Sequence, residues 1–318
     1  MKEYHPSFWF RNAHINTCYP TFFRKVDISY RRQRIFLEDG DFLDFDWVEK
    51  GNSKLILLCH GLEGSSESHY IKAFARYFSE RAWDILALNY RSCSKEPNPS
   101  PFFYIAGKGD EISTALQYAS SYEEIVFIGF SLGANKVLHY LGTEREIPKN
   151  VTMGVAVSPP CDLKGSSLLF ARGWNKIYEQ YFLKQLKKKM IQKEEKYPNI
   201  FQKFEISLEE VQKAKTLVEF DNLVTSKLAG CKDAYEYYKR NSSLFCLKNI
   251  HHPSFILTAL DDPMMSESCY PREEVEKNMF LYLETPKYGG HISYASFEKD
   301  YWLEKFIFEK VNLLKNLK

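Results

Sequence analysis

A doubly wound α/β fold is predicted for this chain, with a mostly parallel sheet, an N-terminal antiparallel hairpin and a helical cap insertion. Three observations predict it. Continuous apolar runs alternate with amphipathic segments between residues 54 and 157. A serine flanked by glycines, Gly129-Phe130-Ser131-Leu132-Gly133, follows one of those runs and opens a helical pattern. Residues 162–248 then abandon strand runs for long, polar, helix-prone pieces. Continuous apolar runs suit strands covered on both faces, and their alternation with helices implies parallel βαβ units.

The composition is that of a chain able to bury a large core. Of 318 residues, 44% are hydrophobic and 16% aromatic, more than a disordered chain would carry. The mean hydropathy of −0.40 argues for a soluble protein. Forty-three Lys and Arg against 41 Asp and Glu leave a net charge of +2, which gives no electrostatic reason to expect a nucleic-acid partner. Glu3 and Pro6 interrupt the stretch where a signal peptide would need an apolar run, and no stretch reaches the roughly 18 apolar residues of a membrane span. The seven cysteines, at 18, 59, 93, 161, 231, 246 and 269, are odd in number and dispersed. They read as reduced thiols, most of them small buried hydrophobes, in a cytoplasmic protein.

In chain order, residues 1–25 mix aromatic and basic side chains and predict a short helix packed on the main body. Val26–Glu38 and Phe42–Val48 alternate around the Asp39-Gly40 turn signal, which predicts the hairpin. The parallel strands follow at Leu55–Cys59, Ile85–Leu88, Ile125–Ile128 and Val151–Val157, with helices at Tyr70–Phe78 and Glu111–Tyr118 between them. The rhythm resumes at Ser254–Leu260 and Met279–Leu283 and closes with an amphipathic helix through Trp302, Phe306, Val311 and Leu314. The expected organisation is a core of residues 1–161 and 249–318 carrying a cap of residues 162–248 over the carboxyl edge of the sheet. The lysine-rich stretch 184–193 of the cap is expected to form a solvated face rather than an anionic-membrane patch, so that any peripheral membrane contact would fall to the cap.

The serine at 131 sits where strand meets helix, the setting in which G-x-S-x-G has a mechanical meaning. The turn crowds the backbone, so the residues two before and two after the serine must lack bulk, and Gly129 and Gly133 meet that need. A serine alcohol attacks a carbonyl only when an imidazole takes its proton. Of the eight histidines, His5 and His14 precede the sheet, His139 lies inside the following helix, and His251 and His252 precede a strand. His69 comes before the serine, against the order of this motif, and His60 reads as a structural loop residue. His291, in the flexible Gly289-Gly290-His291 loop after the last strand, is the expected base. The acid should follow a strand between Ser131 and His291. Val151–Val157 runs into Ser158-Pro159-Pro160, whereas Ser254–Leu260 runs directly into Asp261-Asp262-Pro263. Asp262, before the proline, is the expected acid. Asp261 is assigned to hydrogen-bonding the turn backbone, and the pair is not separated by sequence alone. Oxyanion donors are expected from the Leu132 N–H and from the Leu62 N–H in His60-Gly61-Leu62-Glu63-Gly64. Four elements in this order on these strand ends point to an α/β-hydrolase fold, with no metal or cofactor required.

The same residues resemble a known family. His60–Ser66, Asn89-Tyr90-Arg91-Ser92-Cys93-Ser94, Gly129–Asn135, Leu260-Asp261-Asp262-Pro263 and Gly289-Gly290-His291-Ile292 together resemble the YheT-like branch of α/β-hydrolases, which is related to the mammalian ABHD1/ABHD3 type of membrane-associated lipases. The resemblance extends to Asn12-Ala13-His14-Ile15-Asn16-Thr17 at the front and to Glu219-Phe220-Asp221 and Tyr235–Ser243 in the cap. It implies Ser131 as nucleophile, Asp262 as acid and His291 as base. Ala134 departs from the second glycine frequent in relatives, and Tyr104-Ile105-Ala106-Gly107 from their Tyr-His-x-Gly. The expected activity is hydrolysis of carboxylic esters with a small or lipid-like acyl group through an acyl-enzyme. A membrane-surface lipase or phospholipase and a thioesterase are the alternatives, and a catalytically silent ligand-binding protein on the same fold is the rival of a different class. The cap aromatics Phe170, Trp174, Tyr178 and Tyr181 are expected either to wall an acyl site or to form the cap's own core.

Overall fold

The computed structural model describes residues 3–107 and 109–314. Eight strands form a single sheet: β1 (Arg31–Phe36), β2 (Phe42–Val48), β3 (Lys54–Cys59), β4 (Asp84–Asn89), β5 (Glu124–Phe130), β6 (Val151–Val157), β7 (Ser254–Leu257) and β8 (Leu281–Glu284), in the order β1-β2-β4-β3-β5-β6-β7-β8. β1 and β2 pair antiparallel, as does β2 with β4, and the remaining pairs are parallel. This is the predicted architecture. β1 begins at Arg31, five residues later than the alternation from Val26 suggested.

The helices are α1 (Ala13–Phe23), α2 (His69–Ser79), α3 (Asp110–Tyr118), α4 (Leu132–Thr143), α5 (Leu163–Phe170), α6 (Lys176–Lys196), α7 (Leu208–Lys213), α8 (Leu217–Phe220), α9 (Ser226–Leu228), α10 (Ala234–Asn241), α11 (Arg272–Lys277) and α12 (Trp302–Leu314). They cover both faces of the sheet, which is why β3–β7 carry so few polar side chains. Leu57, Leu86, Phe127, Val137 and Leu141 pack on one face; Ile56, Phe74, Ile128, Val155 and Ile307 pack on the other. α11 had no counterpart among the sequence expectations, because six residues are too few to show a helical period.

β3 is the switch point of the sheet. The chain leaves it for β4 on one side and returns to β5 on the other, so the loops after β3 and β5 diverge and leave a crevice at the carboxyl ends of the strands. Gly61 and Ser131 meet there. α5 to α10 lie between β6 and β7, contain no strand among the described residues, and roof this crevice.

The lysines of α6 form the expected solvated face only in part: Lys184 and Lys188 are exposed, whereas Lys187, Lys189 and Lys193 turn toward other parts of the chain. Lys193 is fully buried, and its ammonium donates to the carbonyls of Ser100 and Phe102. Lys189 pairs with Glu63 at 2.6 Å, and Lys187 donates to the carbonyls of Gln212 and Ala214. A long aliphatic stem lets lysine cross an apolar contact and satisfy carbonyls on its far side, which a count of charges along the sequence does not reveal. Burial pushes the Lys193 ammonium down to about 7.

Candidate active site

Ser131 follows β5 directly and has φ +53°, the left-handed region that a side chain enters only when its surroundings force it there. The two flanking glycines make room for the crowded backbone that holds it there. A Cβ on Gly129 would stand 2.5 Å from the Gly133 carbonyl oxygen, and one on Gly133 would stand 2.3 Å from the His60 carbonyl oxygen. Both positions therefore require glycine for close backbone approach. α4 begins at Leu132, so its free N–H groups and positive dipole end face the crevice.

His291 Nε2 lies 2.9 Å from Ser131 Oγ, and its Nδ1 lies 2.9 Å and 3.1 Å from the two Asp262 oxygens. His291 and Asp262 are both buried, and Asp262 Oδ1 also accepts from the Met264 N–H at 2.9 Å. The structure thus joins Ser131, His291 and Asp262 in one hydrogen-bonded relay. Asp261 points elsewhere. Its Oδ1 accepts from the Gly290 N–H at 2.9 Å, across to the histidine loop rather than within its own turn, and burial pushes its carboxyl up to about 6.

Leu62 and Leu132 both line the same cavity as Ser131. The loop carrying Leu62 turns through Gly64 N–H donating to the Gly61 carbonyl at 3.0 Å and through Glu63 at φ +55°. His60 anchors that loop. Full burial holds its imidazole down at about 3, hence neutral, so Nδ1–H donates to the Gly61 carbonyl while Nε2 accepts from the Tyr90 N–H. Tyr104 OH donates to the His60 carbonyl and stacks on Tyr90 with ring centroids 4.1 Å apart. His60 is a structural histidine, as its sequence context indicated.

Ser131 lies in the wall of the cavity. Leu62, Phe103, Phe182, Leu186, Phe220 and Met265 make much of the apolar lining. Of the four cap aromatics singled out in the sequence, Phe170 lines the cavity. Trp174 and Tyr181 are exposed at 76% and 56%, and Tyr178 OH bonds His14 Nδ1 on α1 at 2.9 Å. The outcome has a simple cause: α6 turns the stripe through Phe182 and Leu186 inward, residues 177 and 181 fall on its opposite side, and Trp174 lies in the short turn that precedes the helix. The i, i+4 pair Phe182/Leu186 was the available signal. Ile105, at the departure from Tyr-His-x-Gly, adds an apolar side chain to the lining. Asp221, which the sequence marks only as part of a cap segment resembling the family, is a further polar group of the cavity. It is half-buried at the cavity wall, accepts from Tyr238 OH at 2.6 Å and from Thr225 Oγ1 at 2.5 Å, and desolvation pushes its carboxyl up to about 6.

Comparison with known proteins agrees with this geometry. A profile of the alpha/beta hydrolase fold matches residues 54–294. The chain is 31% identical over 317 residues to YheT of Escherichia coli (strain K12), a protein named as a proposed esterase, with 96% of this chain and 92% of the relative covered. It is 26% identical to the human phospholipase ABHD3, covering 92% of this chain and 74% of that one. Among solved structures, an esterase of Pyrococcus furiosus superposes with a TM-score of 0.59 at 17% identity, covering 92% of this chain and 98% of the other, a likeness of fold. The glycine-bounded turn after β5, the switch point at β3 and the match along both chain and profile lead to one conclusion: this chain belongs to the α/β-hydrolase family, in the branch that contains YheT.

Proposed function

We propose that this hydrolase cleaves carboxylic esters through an acyl-enzyme, with Ser131 as nucleophile, His291 as general base and acid, and Asp262 as the group that orients the imidazole. The carrying observation is the 2.9 Å contact between His291 Nε2 and Ser131 Oγ at the wall of an apolar cavity, with Asp262 on the other ring nitrogen. In this reading Ser131 Oγ attacks the acyl carbonyl as His291 takes its proton. The Leu62 and Leu132 N–H groups stabilise the oxyanion, and His291 then protonates the departing alkoxide. Water, deprotonated by His291, attacks the acyl-enzyme, releases the carboxylic acid and restores Ser131.

The cavity favours an acyl group of lipid-like or aryl character, because its lining is largely aliphatic and aromatic while the polar groups Asp221, Thr225 and Tyr238 are engaged with one another. Relatives named monoacylglycerol lipase and phospholipase support the same substrate class. Turnover of p-nitrophenyl esters of increasing chain length, beside a fluorophosphonate label, tests the reading. The expected result is saturable turnover and an adduct on Ser131, both absent in Ser131→Ala; an unlabelled wild-type protein would instead favour a silent binding protein, and preference for acyl thioesters would redirect the substrate class. A lipid-surface variant of the reading rests on Trp174, Ile177 and Tyr181, which are exposed together at the start of α6. Co-sedimentation with phosphatidylcholine vesicles, lost in Trp174→Ser, is its test. Among the described residues no helix is long and apolar enough to cross a membrane.

A further inference from the structure

The segment Asn12–Thr17 takes no part in the relay, yet it touches the loop that carries His291. That loop is irregular and strained. Gly290, Ile292 and Tyr294 all have positive φ, at +57°, +50° and +47°, and Ile292 is β-branched, which makes the left-handed region costly. Such a conformation persists only where its surroundings over-determine it.

The surroundings are side chains from other parts of the chain. The Gly290 N–H donates to Asp261 Oδ1 at 2.9 Å, the His291 N–H to Thr17 Oγ1 at 2.9 Å and the Ile292 N–H to Ser158 Oγ at 3.3 Å. The Ala295 N–H donates to Asn16 Oδ1 at 2.9 Å, and Ser293 Oγ donates to the Asn16 carbonyl at 2.6 Å. Three of these five bonds come from two adjacent residues of α1. The segment is built for the task. Asn12 caps α1 by accepting from the His14 and Ile15 N–H groups, and buried Asn16 is fixed by donating to the Phe10 carbonyl. Thr17 Oγ1 donates its own proton to the Ala13 carbonyl at 2.7 Å. A hydroxyl whose proton is committed presents lone pairs elsewhere, and here one faces the backbone N–H of His291. A Cβ on Gly290 would stand 2.7 Å from Thr17 Oγ1, so the helix and loop are in direct contact at this point.

We propose that Thr17, supported by Asn16, is a positioning residue for His291: it pins the backbone of the histidine from the N-terminal helix and thereby holds Nε2 on Ser131. The inference rests on the proposed role of His291 as base. Loss of the Thr17 acceptor leaves the His291 N–H buried without its partner and frees the strained loop to relax. A shift of 1 Å at a reacting group costs on the order of 10²-fold in rate.

The test compares Thr17→Val, which keeps the shape and removes the hydroxyl, with Thr17→Ser, which restores it. With a p-nitrophenyl ester, Thr17→Val is expected to lower kcat by roughly 10–100-fold with KM within about twofold, and Thr17→Ser to return kcat to within about threefold of the wild type. Melting temperature is followed for both, and a folded Thr17→Val is the informative sample. Should it prove unfolded, the rate of fluorophosphonate labelling in Thr17→Ala, with Thr17→Ser as its rescue, replaces it. A kcat unchanged in folded Thr17→Val, or a loss that serine does not rescue, overturns the inference while leaving the hydrolase reading intact. A wild-type protein that neither turns over esters nor labels overturns that reading, and the inference with it.

Discussion

The turn around Ser131 and the loop around His291 both hold backbone in the left-handed region, at φ +53° in the first and +57°, +50° and +47° in the second. They are constrained by different means. At Ser131 the constraint is met by two glycines that leave room for close backbone: Gly129 lacks the Cβ that would stand 2.5 Å from the Gly133 carbonyl, Gly133 the one that would stand 2.3 Å from the His60 carbonyl after β3, and α4 begins at the next residue. At His291 the constraint comes from side chains distant in sequence: Asp261 after β7, Ser158 after β6, and Asn16 and Thr17 on α1. A turn that rests on two glycines is legible in five residues. A loop held by four remote side chains is not.

Substitutions can separate these two kinds of constraint. The largest effect is expected from the groups proposed to react: Ser131→Ala should lower kcat for ester hydrolysis by on the order of 10⁴–10⁶-fold, and Asp262→Asn by about 10⁴-fold, read by steady-state kinetics on folded protein. Asp262→Asn bears on the comparison directly, since it keeps the side chain's shape and disturbs only the tautomer and charge of His291. Gly133→Ala should follow, because its Cβ must displace the His60 carbonyl. A loss of about 3 kcal/mol in stability, seen as a melting temperature several degrees lower, is expected together with loss of activity. A Gly133→Ala protein with wild-type stability would contradict the close approach of the turn to the His60 loop.

At the histidine loop, Asp261→Ala removes the acceptor of the Gly290 N–H and should lower kcat by about 10-fold, whereas Asp261→Asn retains a carbonyl acceptor and should cost less. The smallest effect is one of pH. The Asp261 carboxyl is held at about 6 in the folded chain, above its ordinary value, so the folded state binds this proton more tightly than the unfolded chain does. Its contribution to stability is therefore full below pH ~4 and is lost as pH rises through about 6. Urea titrations between pH 4 and 7 should show a shallower loss of stability with rising pH in Asp261→Asn than in the wild type. The carboxylate is partly open to solvent, which keeps this difference small.

The role of Asn12–Thr17 became visible only through the fold. In the sequence these residues have no strand or helix period strong enough to interpret beyond a short helix on the main body, and that helix is present as α1. What the segment touches depends on how α12 and the loop after β8 pack beside it. Tyr4 donates to the Ala295 carbonyl, and Tyr294 packs against Trp302 at the start of α12. The cap behaves similarly. Its helical content followed from composition, but the inward turn of Lys189 and Lys193 and the outward turn of Ile177 and Tyr181 depended on which side of α6 met the crevice.

By itself the sequence determined the strand runs, the glycine-bounded turn at Ser131, the order of serine, aspartates and histidine along the chain, and the family. These are properties of short windows, where apolar period, glycine placement and turn chemistry act over a few residues. The tertiary structure alone decided that Asp262 rather than Asp261 faces His291, that Asp261 and Thr17 share the backbone of the histidine loop, and which cap side chains line the cavity. Adjacent aspartates have the same local chemistry, and their division of labour is set by the direction each side chain takes from β7 toward a loop about thirty residues further along the chain.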